Sequence, residues 1–103
     1  MIGLLILMAD TSYSTFMTGK DLSAICHANR AACIQYVEGA SDMVSGYQVS
    51  LATPKAVCVD PAATGEHLLD ITIKFLANHP DYLDDGAGGV VWSALNEAYP
   101  CPQ

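Results

Sequence analysis

Four cysteines and three histidines are the side chains of this chain best equipped for covalent or metal chemistry. Cys26, Cys33, Cys58 and Cys101 could act as nucleophile, metal ligand or disulfide partner, and His27, His67 and His79 as base or ligand. The spacing argues against the first two roles. A thiol nucleophile needs a histidine base, and none of the histidines lies in a recognisable nucleophile motif. Cys26 and His27 are neighbours on what reads as a helix, so their side chains diverge. Structural zinc sites draw on close pairs such as C-x-x-C, and there is none. Nor is there a C-x-x-C-H for haem, and Gly86, Gly88 and Gly89 lack the Lys-Ser/Thr that completes a phosphate loop. Asp84 and Asp85 read as a cap and a turn. No catalytic group, cofactor or metal is expected, and the chain reads as a binding protein rather than an enzyme.

Disulfides are the remaining role for the cysteines. The chain has 103 residues, enough for one small domain whose limited core cross-links would support. An even cysteine count in a short chain suggests two bridges in an oxidising compartment; four reduced, buried thiols in a cytosolic protein is the competing reading. Residues 1–9, MIGLLILMA, are too short an apolar run to span a bilayer. They read as a truncated secretory signal lacking its basic leading segment, because Asp10 to Ser14 then turns polar. The competing reading is a native segment packed on the core. Residues 10–103 form the domain.

The formal net charge is −7, with only four basic residues: Lys20, Arg30, Lys55 and Lys74. Nucleic acid needs a cationic surface, so that partner class is excluded, and anionic membrane surfaces for the same reason. An acidic surface suits solubility or a basic protein partner.

The elements that position these residues read as helices. Cys33 to Leu51 carries apolar or small residues at 33, 37, 40, 44, 47 and 51, one side of a central helix ending between Ser45 and Ala52. Gly39 in its middle implies close approach of a neighbour. Before it, Thr18 caps a helix running to about His27, with Asp21 in the first turn and Leu22, Ile25 and Cys26 buried. The turn between the two is His27 to Arg30. Residues 53–63 form a loop pinned by Cys58, in which Val57 to Val59 is a weak strand candidate. Thr64 caps a third helix that stops near Asn78, ahead of Pro80. Its Glu66, Asp70 and Lys74 read as a solvated face, with Asp70 pairing to Lys74. His79 to Gly86 is an acidic loop with an exposed tyrosine. The last helix buries Ala87, Val90, Val91, Ala94, Leu95 and Ala98. Asp84 or Asp85 is its cap, its glycines fray the start, and Tyr99-Pro100 stops it.

The fold class is therefore all-α, an antiparallel bundle of about four helices stapled by disulfides. Four cysteines allow three pairings. Cys26 with Cys33 and Cys58 with Cys101 needs least distortion in that topology, although the long loop could carry Cys58 elsewhere.

The ordered motifs resemble a known family. FMTGKDLSAIC is similar to F-x-x-G-x-x-L-x-x-x-C, and CIQYVEGASD to C-x-x-Y-x-x-G-x-x-D. CVDP is followed by a helix ending in L-x-x-H-P and a last helix closing on aromatic-Pro-Cys. Residues 16–101 in this way resemble the Rap/Tai immunity proteins of bacterial type VI secretion. The resemblance implies a periplasmic, disulfide-bonded protein, often a homodimer, that inhibits a peptidoglycan amidase effector by inserting a loop into its active-site groove. The matching loop is His79 to Gly86, with Asp81, Tyr82, Asp84 and Asp85 as partner-binding residues. A small periplasmic stress or acid chaperone is the alternative.

Overall fold

The computed structural model describes residues 16–50 and 55–102. Thr18 begins the first helix, α1 (Gly19–Ala28), through a reciprocal capping box. Its Oγ1 accepts from the Asp21 N–H at 3.2 Å, and an Asp21 carboxylate oxygen accepts from the Thr18 N–H at 3.0 Å. Those bonds favour the charged carboxylate and hold Asp21 below its ordinary value of 3.8.

The first hairpin turns on one residue. The Asn29 N–H closes α1 on the Ile25 carbonyl at 2.7 Å, and its Oδ1 accepts from the Ala32 N–H at 3.1 Å. Asn29 serves both helices, so the central helix, α2 (Arg30–Ser50), starts three residues ahead of Cys33. Leu51 and Ala52 lie outside the described residues.

Thr64 caps α3 (Gly65–Asn78), its hydroxyl accepting from the His67 N–H at 3.2 Å. Asp70 turns across to α2 rather than along its own helix: Arg30 meets Glu66 at 2.7 Å and Asp70 at 3.7 Å. A short 3-10 turn, Pro80–Asp84, leads to α4 (Ala87–Ala98).

Asp84 and Asp85 do not cap α4 with their side chains; Gly86 occupies the N-cap. The orphan amides are met by backbone instead. Ala87 N–H donates to the Met17 carbonyl and Gly19 N–H to the Asp85 carbonyl, both at 2.8 Å. Each of α1 and α4 is thus capped by the segment leading into the other, through a bridge between Thr18 and Gly86. The expected fraying is not seen: α4 turns regularly from Ala87, with Val90 N–H on the Gly86 carbonyl at 3.1 Å.

The helices close around Leu22, Val37, Leu69, Thr72, Val90, Val91 and Leu95, all fully buried. Thr72 satisfies its hydroxyl by donating to the Leu68 carbonyl at 2.9 Å. Two disulfides staple the bundle, Cys26–Cys33 across the first hairpin and Cys58–Cys101 between the long loop and the tail. Beside the second, Val57 pairs with Pro100 in a single antiparallel bridge rather than a strand.

The inward stripe of α2 differs from the expected one. Cys33, Val37, Ser41, Val44 and Gln48 are buried, while Tyr47 is 57% exposed. Gln48 explains the rotation. Its amide nitrogen donates to the Val57 carbonyl, and its oxygen accepts from the N–H groups of Ala56 and Val57. Gly39 lacks the expected close neighbour: apart from the backbone of its own helix, no heavy atom of the described residues lies within 4 Å of where its Cβ would stand. The close approaches fall at Gly19, where a Cβ would strike the Tyr82 carbonyl, and at Gly65, where it would strike Ile34 and Glu38.

Candidate partner-binding surface

The loop after α3 is built by proline and histidine. Pro80 supplies no N–H and disfavours helix at His79, so α3 stops there, with the His79 N–H on the Phe75 carbonyl at 2.9 Å. The His79 ring stacks on Phe75, centroids 4.3 Å apart, and its Nε2 lies 3.1 Å from a Glu97 carboxylate oxygen of α4. The loop is therefore held against both α3 and α4 at its first residue.

Residues three apart eclipse in a 3-10 turn. Asp81 and Asp84 share one face and both are exposed. Tyr82 is half-buried and meets Phe75 edge-on at 4.9 Å, so its ring braces the turn instead of standing free. Asp85 is exposed but commits its carbonyl to Gly19. The turn brings Asp81 and Asp84 together as an acidic edge, with Asp85 just beyond it.

A second surface was not anticipated. Tyr36, Gly39, Ala40, Met43 and Tyr47 of α2 line an open groove of about 580 Å³, closed on its other side by Gly88 and Trp92 of α4. Met43 is 71% exposed. The spacing of Tyr36, Ala40, Met43 and Tyr47 is a readable signal for this second stripe, but Ala40 and Tyr47 also fit the core period.

The cysteine and histidine chemistry is spent structurally. No cysteine is free. The histidines stand on separate elements: the His27 Nδ1 lies 2.7 Å from the Ser23 carbonyl, the His67 ring meets Tyr99 edge-on, and His79 pairs with Glu97. No group of three His, Cys, Asp or Glu residues gathers for a metal among the described residues. There too, no helix is long and apolar enough to cross a membrane.

Neither a curated protein nor a solved structure matches the chain. A family model does, that of the Rap1a immunity proteins, over residues 18–101. The match runs from the cap of α1 to the last cysteine, taking in the four helices of the described residues and both disulfides, and the chain belongs to the Rap1a immunity proteins.

Proposed function

We propose that this chain is a periplasmic immunity protein that binds a peptidoglycan amidase effector of type VI secretion and blocks its active-site groove with the loop after α3. The observation that carries this reading is the braced acidic edge of Asp81 and Asp84, held by the Phe75, His79 and Tyr82 rings. A pre-ordered turn loses little freedom on binding, and its carboxylates complement a cationic groove. Asp85 extends that edge, and Tyr82 acts by setting its shape. Two disulfides fit an oxidising compartment. The activity is inhibition by binding, without cofactor or metal. The α2 groove is the homodimer face in this reading, being uncharged in a chain of net charge −7.

The test is the double variant Asp81→Asn with Asp84→Asn, titrated against a catalytically inactive form of the effector amidase. Binding weakens about tenfold or more, and its salt dependence becomes shallower. Unaltered affinity and salt dependence would remove this loop from the interface.

A further inference from the structure

The 3-10 turn has a face that the acidic edge does not use. Pro80 and Leu83 eclipse one another beside Asp81 and Asp84, and both line a hollow of about 360 Å³. Ile73 and Leu76 of α3 add apolar wall, and Ser23 and His27 of α1 form a polar rim. The rim has a defined hydrogen-bonding sense. The Ser23 carbonyl only accepts, so the His27 Nδ1 at 2.7 Å carries the proton. In the neutral ring Nε2 is then an acceptor. The hollow combines apolar walls, an imidazole at the rim whose Nε2 accepts when the ring is neutral, and two carboxylates on the adjoining face.

We propose that this hollow is the anchor pocket of the effector interface, taking one tyrosine or tryptophan side chain that stands beside basic groups on the effector. The proposal rests on the reading of the acidic edge as partner-binding. An aromatic ring would lie on Ile73, Leu76 and Leu83, and its O–H or N–H would donate to His27 Nε2. Interface anchors of this type are large aromatics seated in a desolvated pocket and ringed by polar contacts. Asp81 and Asp84 select the surroundings of that anchor, since a partner carboxylate there would meet like charge. One segment of the effector, an aromatic flanked by lysine or arginine, satisfies both faces of the turn.

Ala77 also lines the hollow and is exposed on α3, so it can be enlarged without touching the core. Ala77→Trp fills the space, and Ala77→Glu places a carboxylate in it. Each variant is titrated against the same inactive amidase, with urea unfolding to check the fold. Both weaken binding at least tenfold at an unchanged unfolding midpoint; affinity equal to the parent in both overturns the pocket. His27→Gln, which keeps a polar rim, binds more tightly than His27→Leu, and equal losses would remove the hydrogen bond from the proposal. The Asp81→Asn, Asp84→Asn variant separates the two readings. Weakening there but not at Ala77 leaves the acidic edge standing and eliminates the pocket. Weakening at neither site eliminates both. Weakening at Ala77 alone withdraws the acidic edge and overturns the basic surroundings proposed for the anchor, leaving only an apolar contact at the hollow.

Discussion

Gln48 closes on the backbone of Val57 from both sides, Nε2 donating to its carbonyl at 2.9 Å and Oε1 accepting from its N–H at 2.8 Å. Gln48 is only 6% exposed, so the pair is made out of water's reach. The long loop, with Cys58 next in line, is thereby registered against α2. Gln48→Ala would leave a buried donor and acceptor of Val57 unmatched, and each such group costs about 1–3 kcal/mol. Urea unfolding should show a loss of about 2–4 kcal/mol. Gln48→Glu should also destabilise at neutral pH, because a carboxylate cannot donate to the Val57 carbonyl.

Two glycines should respond in opposite directions. At Gly39 a methyl group meets open space, so Gly39→Ala removes chain entropy from the unfolded state and adds about 0.5–1 kcal/mol of stability. At Gly19 the same methyl would strike the Tyr82 carbonyl, with Leu83 and Val90 behind it. Gly19→Ala should therefore lower the thermal midpoint and disturb the 3-10 turn. The comparison is made on the monomer, where a destabilised Gly39→Ala would mean that α2 has a neighbour at that position within its own chain.

The disulfides should open in sequence. Cys26 and Cys33 are 2% and 0% exposed, while Cys58 is exposed. Exchange requires a thiolate to reach sulfur, so graded reductant followed by alkylation and mass mapping should label Cys58 and Cys101 first. The two bridges also differ in what they constrain. Cys58–Cys101 spans 43 residues and Cys26–Cys33 spans 7, which corresponds by loop entropy to roughly 4 and 2.5 kcal/mol. Cys58→Ala with Cys101→Ala should then be the more destabilising pair in urea.

Asp21 gives the acid limb of the stability profile a defined sign. Its carboxylate is held below the ordinary 3.8 chiefly by the bond from the Thr18 N–H, then by the Thr18 hydroxyl. A lowered folded value means that the stabilisation is complete above the unfolded value and is lost as pH falls through the folded one. The stability gap between the parent and Asp21→Ala should be widest at pH 5–7, where charge favours the helix start, and should narrow as the pH drops below about 4. A gap that stayed constant to pH 2 would assign the effect to packing rather than to the charged cap.

What the sequence disclosed follows from what is local. Thr18 with Asp21, Thr64 with its first turn, and the stop before Pro80 are decided within four residues, and all stand in the structure. The cysteine pairing followed once the helix order was known, because it depends on which helix ends meet. Gln48 was not legible, since its partners at Ala56 and Val57 lie across a loop and a glutamine reads as solvated by default. Its burial turned the end of α2 by one position and moved Tyr47 from core to surface. The reciprocal capping by Met17 and Asp85 was hidden for the same reason: backbone carbonyls carry no sequence signal. At the loop, the acidic residues were visible, but the bracing of Tyr82 required Phe75, one turn before the loop begins.

The α2 groove makes the last prediction. Tyr36, Gly39, Ala40, Met43 and Tyr47 set two small side chains between large ones along about three turns, a distance near 17 Å. A stripe of that form can pack against its own copy about a two-fold axis, the large residues of one over Gly39 and Ala40 of the other. Self-association of an acidic chain needs a face without carboxylates, and none lines this groove. Met43→Glu and Tyr47→Lys each place a charge there, at positions already exposed, and should leave the thermal midpoint of the isolated fold within about 4 °C of the parent's. Sedimentation velocity should show the parent chain as a dimer and Met43→Glu as a monomer. Tyr47→Lys separates apolar contact from charge: monomer in both variants supports burial of the stripe, whereas a dimer that survives Tyr47→Lys but not Met43→Glu points to repulsion between acidic surfaces. A parent chain that is monomeric at high concentration would withdraw the groove as a homodimer face.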